Sequence, residues 1–333
     1  MMTKFIIYSV LTTVCLLCTA WLQAEPVKDV QSILMEIEQR SLDTHSDAVL
    51  ILQGDTPLLS YTSTEVEQPI ELMSAYKSIV ALAIGRLLFN DQLSSLDEPV
   101  HTFYPEWKQG DKIKITVRHV LNHTSGLQNV MNAGEEIYPS PDVIRLALAA
   151  ELSEPPGSKA RYNNKAVNLL AGIIEKASGK RMDQFLITEL FEPLGVEHYK
   201  FYYDAAGNPH AMAGLELKAS DAAKFGLLVV NHGHWHGQAL ISRDYIEEML
   251  AQSQPFIERL GLLWWRHEYN SSQGERKLLY YADGYLGQYI VVAPELNLVG
   301  VRQLKRTEQS HSNENSFKEF KELIARLASK LEK

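Results

Sequence analysis

Apolar and polar positions alternate near both ends of the chain in a way that predicts β-strands. Residues 48–53 and 58–62 flank the turn-forming sequence Gly54-Asp55-Thr56-Pro57, which is typical of a β-hairpin. Beyond residue 258, segments rich in aromatic and β-branched residues are separated by turns, as in an antiparallel meander. These segments are residues 260–267, 277–282, 288–293 and 298–302.

The middle of the chain shows helical periodicity interrupted by loops that contain Pro and Gly. Its first helix is a strongly apolar segment over residues 74–89. Further helices are predicted over residues 116–122, 142–151, 165–177, 182–191, 220–231 and 243–252. After the last strand, Ser316 and Glu319 form a capping box that predicts a final helix to about Leu331. The simplest assembly is one antiparallel sheet built from both ends of the chain, with a helical subdomain inserted and a cleft between the two parts.

The first 24 residues have the pattern of a secretory signal peptide. Lys4 precedes an apolar stretch over residues 5–22, and the small residue Ala24 stands before a charged start. We expect cleavage after Ala24, and the large residue before Cys18 disfavours lipid attachment at that cysteine. Because Cys15 and Cys18 are the two cysteines of the chain, the mature protein would have no thiol nucleophile. The expected product is exported, periplasmic or secreted, with no membrane span after signal removal.

Composition and charge narrow the possible functions. The chain has 333 residues, and its 45% hydrophobic content is enough for a packed core. Thirty-two Lys and Arg residues against 41 Asp and Glu give a formal net charge of −9, with no block of five like charges. An acidic, unpatterned surface argues against nucleic acid or an anionic membrane as the main partner.

The first candidate for chemistry is Ser74-Ala75-Tyr76-Lys77, at the start of the apolar helix. Positions i and i+3 share a helix face, so Lys77 would lie one turn from Ser74. A serine hydroxyl needs a base, and burial of the lysine near a helix N-terminus would lower its pKa towards that role. The free N–H groups of a helix start also suit an oxyanion. The alternative is a serine N-cap followed by an exposed lysine.

The second candidate is Tyr162-Asn163-Asn164, in a loop just before a predicted helix. A phenol near a lysine ammonium is expected to have its pKa lowered and to act as a base or proton relay. Asn164 would bind a substrate amide. The alternative is that Asn163 or Asn164 only caps the following helix.

Two glycines mark a third candidate, Gly284 and Gly287, which flank the start of a predicted strand. Glycines at such a place allow close backbone approach, which suits a backbone N–H that points into a cleft. Gly287 is therefore a candidate substrate-binding residue. An ordinary hairpin turn at Asp283-Gly284 is the alternative interpretation.

Two histidine patterns are weaker candidates. His232-Gly-His234-Trp-His236 has the alternation of a metal site on a strand, but it follows a helix and contains glycines. We expect a surface loop there, with a metal-binding export protein as the alternative. His123 and Ser125 suggest a Ser–His pair, but the chain has no G-x-S-x-G elbow, so Ser125 is expected to lie in a turn.

Taken together, the motifs resemble the serine β-lactamase and penicillin-recognising hydrolase family, on the class C side. The resemblance covers roughly residues 45–303, in ordered blocks. These blocks are SAYKSIVALAIGRLLFNDQLSSLDEPVHTFYPEW, ITVRHVLNHTSGL, PPGSKARYNNKAVNLLAGIIEKASGK, and GLLWW with ADGYLGQYIVVAPELNLVGVR. It implies an α+β fold (an α/β sandwich) in which an antiparallel sheet is flanked by N- and C-terminal helices, with an inserted all-helical subdomain. Residues 25–333 would form this transpeptidase-like domain, with the α/β part over about 25–90 and 258–333 and the helical part over about 91–257.

The resemblance also implies an acyl-enzyme mechanism without a cofactor or metal. Ser74 would attack an ester or amide carbonyl, and Lys77 and Tyr162 would share the proton transfers, in an order that we leave open. Asn164 would hold the acyl side. The backbone N–H groups of Ser74 and Tyr285 would form the oxyanion hole.

One departure from the family pattern bears on the substrate. Related β-lactamases and D,D-peptidases present Lys or His, then Thr or Ser, then Gly on the third-motif strand, where a free carboxylate binds. Here Ala282-Asp283-Gly284 stands at that place, and an acid would repel a carboxylate. We therefore expect an exported esterase or amidase, similar to the esterase and 6-aminohexanoate oligomer hydrolase branch. A cation from Arg266, His267 or Arg302 would weaken this preference.

Other functions stay open at this point. A D,D-carboxypeptidase or weak β-lactamase is one alternative, and a penicillin-binding-like protein that no longer turns over is another. Retention of the serine, lysine, tyrosine and asparagine together argues against loss of turnover. The oligomeric state is left open.

Overall fold

The computed structural model describes residues 24–307 and 316–332, and its central element is a six-stranded antiparallel sheet. The strands are β1 (Ala48–Gln53), β2 (Thr56–Thr62), β3 (Ile70–Glu71), β4 (Tyr199–Phe201), β5 (Leu215–Leu217), β6 (His234–Trp235), β7 (Gln238–Ala239), β8 (Trp265–Asn270), β9 (Arg276–Gly284), β10 (Gln288–Ala293) and β11 (Leu298–Gln303). The large sheet has the order β2-β1-β11-β10-β9-β8. Because β1 pairs with β11, the N-terminal hairpin and the C-terminal meander form one sheet, as predicted.

Helices cover both faces of this sheet. They are α1 (Ala24–Asp43), α2 (Tyr76–Phe89), α3 (Val117–Leu121), α4 (Ala133–Glu136), α5 (Val143–Ala149), α6 (Asn164–Val167), α7 (Leu169–Ser178), α8 (Met182–Leu186), α9 (Glu192–Leu194), α10 (Ala219–Val230), α11 (Arg243–Leu250) and α12 (Phe320–Leu331). The terminal helices α1 and α12 pack together on one face, whereas α10 packs on the other. The predicted layout of a sheet with flanking terminal helices and an inserted helical part is confirmed.

The alternation of side chains along β1 explains how the sheet separates two cores. Val49 and Ile51 belong to the core that α1 and α12 cover. Ala48 and the half-buried Leu50 belong to the larger core on the α10 side. Since successive side chains of a strand point to opposite faces, one apolar strand contributes side chains to both cores.

Helix α2 lies at the centre of the larger core. All residues from Tyr76 to Gly85 are buried, and Leu87 is buried as well. A helix that is apolar all round is stable only when other elements surround it. This burial holds the start of α2, and therefore the turn that precedes it, in one position.

Three predictions for the secondary structure need correction. The strand predicted over residues 260–267 begins only at Trp265 and extends to Asn270. The last helix begins at Phe320 rather than at the predicted capping box, because Phe317 is buried with a left-handed φ of 44° and interrupts a helical path from Ser316. The inserted segment also contains short strands besides its helices. Strands of two or three residues, such as β4, are too short for a periodic pattern to predict.

The described part of the chain starts at α1. The predicted signal peptide up to residue 23, with Cys15 and Cys18, lies outside the described residues, so export stays a prediction. None of the helices within residues 24–307 and 316–332 combines the length and apolarity needed to cross a membrane.

Candidate active site

Ser74 lies in a tight turn at the start of α2. Residues Met73–Ala75 form one turn of 3₁₀-helix, closed by a hydrogen bond of 3.0 Å from the N–H of Ala75 to the carbonyl of Leu72. Met73 has a left-handed φ of 50°, an uncommon conformation for a side-chain-bearing residue and one found at functional sites. The turn brings the half-buried Ser74 to the wall of a cavity of ≈ 480 Å³.

Lys77 contacts the serine hydroxyl directly. Its Nζ lies 2.8 Å from Ser74 Oγ and donates a 2.5 Å hydrogen bond to the carbonyl of Met212. The side chain is buried, and this burial lowers the pKa of the Lys77 amine to about 7. Near neutral pH a large fraction of the amine is therefore unprotonated and able to accept a proton.

Tyr162 reaches the same hydroxyl from the other side. A side-chain hydrogen bond joins it to Ser74, and Lys77 Nζ lies 5.1 Å from the centre of its ring. Burial raises the pKa of the Tyr162 phenol to about 12, which the bond to Ser74 only partly offsets. The predicted lowering of this pKa is wrong, because loss of contact with water is the largest influence on the phenol and the charge of Asp283 raises the pKa further.

His123 holds Tyr162 in place through its backbone and its ring. The N–H of Arg161 donates to the His123 carbonyl (2.8 Å), and the N–H of Asn163 donates to His123 Nδ1 (3.2 Å). The two rings pack 4.6 Å apart between centroids. Burial lowers the pKa of His123 to about 3, so the ring is neutral and its proton sits on Nε2.

This positioning role was missed by the sequence reasoning, which considered His123 only as a partner of Ser125. The hydroxyl of the buried Ser125 accepts a 3.4 Å bond from the N–H of Leu127, which agrees with the predicted turn. The available signal was the position of His123 within the block ITVRHVLNHTSGL.

The two neighbouring asparagines have different surroundings. Asn163 caps α6: its Oδ1 accepts from the N–H of Ala166 (2.8 Å), and its Nδ2 donates to the carbonyl of Leu127 (2.8 Å). Asn164 lines the cavity beside Ser74, and its Oδ1 has no hydrogen-bond partner among the described residues. Of this pair, Asn164 is thus the residue that lines the Ser74 cavity.

The end of β9 lies against the turn of Met73–Ala75, here called the nucleophile turn, because Gly284 has no side chain. A Cβ at this position would lie 2.3 Å from the carbonyl oxygen of Leu72 and 3.1 Å from the N of Ala75. This approach places Tyr285 on the wall of the Ser74 cavity. Among the described residues, neither the N–H of Ser74 nor that of Tyr285 donates a hydrogen bond, so both are free for an oxyanion.

Gly287 lies in the turn between β9 and β10. Its N–H donates to the carbonyl of Gly284 (3.0 Å), and it lines a neighbouring cavity of ≈ 360 Å³ rather than the one beside Ser74. Asp283 lines this neighbouring cavity too, and desolvation raises the pKa of its carboxyl to about 6.

The three cations considered as alternatives in the sequence, Arg266, His267 and Arg302, do not line the Ser74 cavity. Arg302 is fully buried under the turn between β9 and β10, where its guanidinium donates to the carbonyls of Leu286 and Gly287. Arg266 and His267 lie on β8 and line neither this cavity nor its neighbour. Burial and backbone bonding thus hold Arg302 to a structural position, and the cation that does line the cavity is Arg306.

The histidine segment forms a hairpin rather than the expected loop. His234 and Trp235 in β6 pair with Ala239 and Gln238 in β7. Within residues 24–307 and 316–332, no group of three or more His, Cys, Asp or Glu side chains has the arrangement of a metal site.

Comparisons with known proteins agree with the fold. The chain belongs to the β-lactamase family, whose model, described as Beta-lactamase, matches residues 36–317. It is 29% identical over 147 residues to the putative penicillin-binding protein PbpX of Bacillus subtilis (strain 168), covering 44% of this chain and 36% of PbpX. It is 30% identical over 149 residues to esterase EstB of Burkholderia gladioli, covering 39% of this chain and 38% of EstB.

These two matches thus span well under half the length of each relative. Among solved structures, a putative 6-aminohexanoate-dimer hydrolase from Bacillus anthracis superposes with a TM-score of 0.72 at 20% identity. The superposition covers 87% of this chain and 79% of that protein, which shows the shared fold.

Proposed function

We propose that the protein is an exported serine hydrolase that cleaves small esters or amides through an acyl-enzyme on Ser74. The observation that carries the proposal is the contact of 2.8 Å between Ser74 Oγ and Lys77 Nζ, an amine whose pKa burial lowers to about 7. A nucleophile within hydrogen-bond reach of a base that is partly unprotonated near neutral pH is the arrangement that covalent catalysis needs.

In the proposed acylation, Lys77 accepts the Ser74 proton as Oγ forms a bond to the substrate carbonyl carbon. The N–H groups of Ser74 and Tyr285 bind the oxyanion. As the C–O or C–N bond breaks, Tyr162 donates its phenolic proton to the leaving group and regains one from Lys77. A phenol whose pKa is about 12 suits this donor role better than that of an anionic base. Water then releases the acyl group by the reverse proton path.

An esterase or amidase is favoured over a β-lactamase by the end of β9. Ala282 and Asp283 stand where a carboxylate-binding pair would be expected from the family pattern. The relative EstB is named an esterase, and a structural neighbour is named a 6-aminohexanoate-dimer hydrolase. The rival is a D,D-carboxypeptidase or β-lactamase, which predicts stoichiometric labelling by a fluorescent penicillin.

Hydrolysis of a short-chain p-nitrophenyl ester at mildly alkaline pH tests the proposal. We expect turnover by the purified protein and none by Ser74→Ala. Ser125→Ala is the matched control, because this serine lies outside the cavity and should leave turnover in place. Ester hydrolysis that survives in Ser74→Ala would refute the proposal.

A further inference from the structure

Asn168 lies at the junction between α6 and α7, and the proposed reaction does not use it. Its side chain is fully buried, and among the described residues it does not bond to the N–H groups at the start of α7. Instead its Oδ1 accepts from the N–H of Ala211 (3.0 Å) and from that of Met212 (3.2 Å), 43 and 44 positions further along the chain. An asparagine before a helix usually caps that helix, so this one serves another part of the fold.

The two N–H groups belong to an irregular segment, residues 211–214, that leads into β5. Residues 211–213 form a bend, and a bend has no ladder of hydrogen bonds to fix the direction of its carbonyls. At the far end of the segment, the N–H of Gly214 donates to Glu71 Oε1 (3.1 Å). Side-chain oxygens therefore hold this backbone at both ends.

The carbonyl of Met212 is the part of the segment that contacts the reactive groups. It accepts the 2.5 Å hydrogen bond from Lys77 Nζ, which also lies 2.8 Å from Ser74 Oγ. A neutral amine has two N–H groups and one lone pair, and it acts as a base only when the lone pair points at the serine proton. With one N–H bound to the Met212 carbonyl, rotation about the Cε–Nζ bond is restricted and the lone pair has fewer directions available.

We propose that Asn168 is a positioning residue: it holds the backbone of Met212, whose carbonyl orients Lys77 Nζ towards the Ser74 hydroxyl. This inference rests on the proposed hydrolase function. Asn168 does not line the cavity beside Ser74, so it acts on the reaction only through this backbone. A displacement of about 1 Å in such an arrangement is enough to lower a rate about 100-fold.

Two substitutions of Asn168 separate its oxygen from its amide nitrogen. Asn168→Ala removes the acceptor and introduces a good helix former, so kcat for a p-nitrophenyl ester should fall about tenfold while KM changes little. Asn168→Asp keeps an oxygen for both N–H groups and loses only Nδ2, which has no hydrogen-bond partner among the described residues. It should therefore keep kcat within about threefold of the parent protein. Both are measured at about pH 9, where Lys77 is unprotonated.

Gln254→Ala is the matched control for the loss of a buried amide oxygen. Gln254 Oε1 also accepts from two consecutive N–H groups, those of Phe256 (2.5 Å) and Ile257 (2.9 Å). None of these three residues lines the cavity beside Ser74. A thermal melt should show destabilisation of both alanine variants, whereas kcat should fall only in Asn168→Ala.

The titration of Lys77 is a readout that a role in stability alone would not move. A hydrogen bond to a carbonyl favours the charged amine, so displacement of the Met212 carbonyl should lower the pKa of Lys77 further. The neighbouring Tyr162 and His123 have pKa values of about 12 and about 3, so neither changes charge in the range where Lys77 titrates.

NMR of protein labelled with ε-¹³C lysine measures this titration without turnover. The Lys77 signal is identified by its loss in Lys77→Met. Its midpoint should lie near pH 7 in the parent protein and in Gln254→Ala, and about 0.7 pH unit lower in Asn168→Ala. If Asn168→Ala does not fold, Asn168→Ser keeps a shorter acceptor and should show a smaller shift and a loss of about threefold in kcat.

The inference is overturned if the folded Asn168→Ala or Asn168→Ser protein keeps both kcat and the Lys77 midpoint of the parent protein. A loss of kcat in Asn168→Asp as large as in Asn168→Ala also overturns it, because the oxygen would then not be the atom that matters. Failure of the hydrolase proposal looks different: ester turnover is then absent or independent of Ser74, while the Lys77 midpoint still shifts in Asn168→Ala.

Discussion

The two walls of the active site are built in different ways. The helical wall carries Ser74, Lys77 and Tyr162: Lys77 lies within hydrogen-bond distance of the Ser74 hydroxyl, and the Tyr162 phenol interacts with the same serine. The strand wall is the end of β9 and the segment after β11, where Tyr285 and Arg306 are exposed to the cavity. The first wall supplies the nucleophile and the proton-transfer groups, whereas the second supplies one oxyanion N–H and side chains that line the space for the substrate. Proton transfer is therefore expected to depend on side chains of the first wall, and oxyanion binding to depend in part on the backbone position of the second.

The largest effect is expected from Lys77→Met, which keeps an unbranched buried side chain but removes the base. We expect kcat/KM for a p-nitrophenyl ester to fall about 10³-fold, within the range that general base catalysis contributes. Steady-state kinetics measure the loss, and a thermal melt confirms that the variant is folded. Activity within tenfold of the parent protein would show that another group activates Ser74.

On the strand wall, Gly284→Ala should have the next largest effect. The added Cβ would meet the Leu72 carbonyl at 2.3 Å and push the end of β9 away from the nucleophile turn. Displacement of the Tyr285 N–H should lower kcat about 10²-fold, the size of effect that an oxyanion donor has. Steady-state kinetics at a saturating ester concentration measure this change in kcat. An unchanged kcat would mean that this wall takes no part in bond making.

The pH dependence of kcat/KM tests the role of Lys77 without a substitution. Burial lowers the Lys77 pKa to about 7, so activity should fall about tenfold per pH unit below 7 as the amine becomes protonated. Above pH 7 it should reach a plateau, because the Tyr162 pKa lies at about 12. Since the pKa of Asp283 is about 6, Asp283→Asn is the control, and it should leave the acid limb in place. An acid limb that moves with Asp283→Asn would contradict the assignment to Lys77.

The neighbouring asparagines offer a matched pair. Asn163→Ala removes the cap of α6 and should lower the free energy of unfolding by about 1 kcal/mol. Asn164→Ala should leave stability within about 0.5 kcal/mol but reduce kcat/KM about tenfold, because its amide faces the cavity. Denaturant melts and ester kinetics on both variants separate the two effects. A loss of stability in Asn164→Ala together with a loss of activity in Asn163→Ala would contradict these assignments.

The smallest effect is expected for His123→Asn, and His123→Leu serves as its partner variant to separate the contribution of the ring from that of the hydrogen bond. Asn tolerates the left-handed φ of 60° and still offers an acceptor to the N–H of Asn163. We expect a loss of about threefold in kcat for His123→Asn and more than tenfold for His123→Leu, with KM little changed. The loss of one hydrogen bond of about 1 kcal/mol corresponds to a roughly fivefold fall in the rate. Equal losses in both variants would show that only the ring holds Tyr162.

Residues within one helix turn of each other were predictable from the sequence. The spacing of Ser74 and Lys77 and the apolar run behind them indicated a buried amine next to the hydroxyl, which the structure shows. The pKa of Tyr162 was predicted in the wrong direction, because charge proximity can be read from motifs but the extent of burial cannot. His123 was missed for a similar reason, since its partners Arg161 and Asn163 lie about 40 positions away.

The sequence by itself thus determined the β-hairpin, the buried helix α2 and the set of reactive side chains, because these depend on periodicity and on contacts between near neighbours. Only the tertiary structure decided which cation lines the cavity and which side of the β9 turn Asp283 faces. Arg302 and Arg306 are four positions apart, yet one is buried under the turn and the other lines the site. That difference arises where β11 leaves the sheet, at a strand end whose direction is set by packing between distant segments rather than by local sequence.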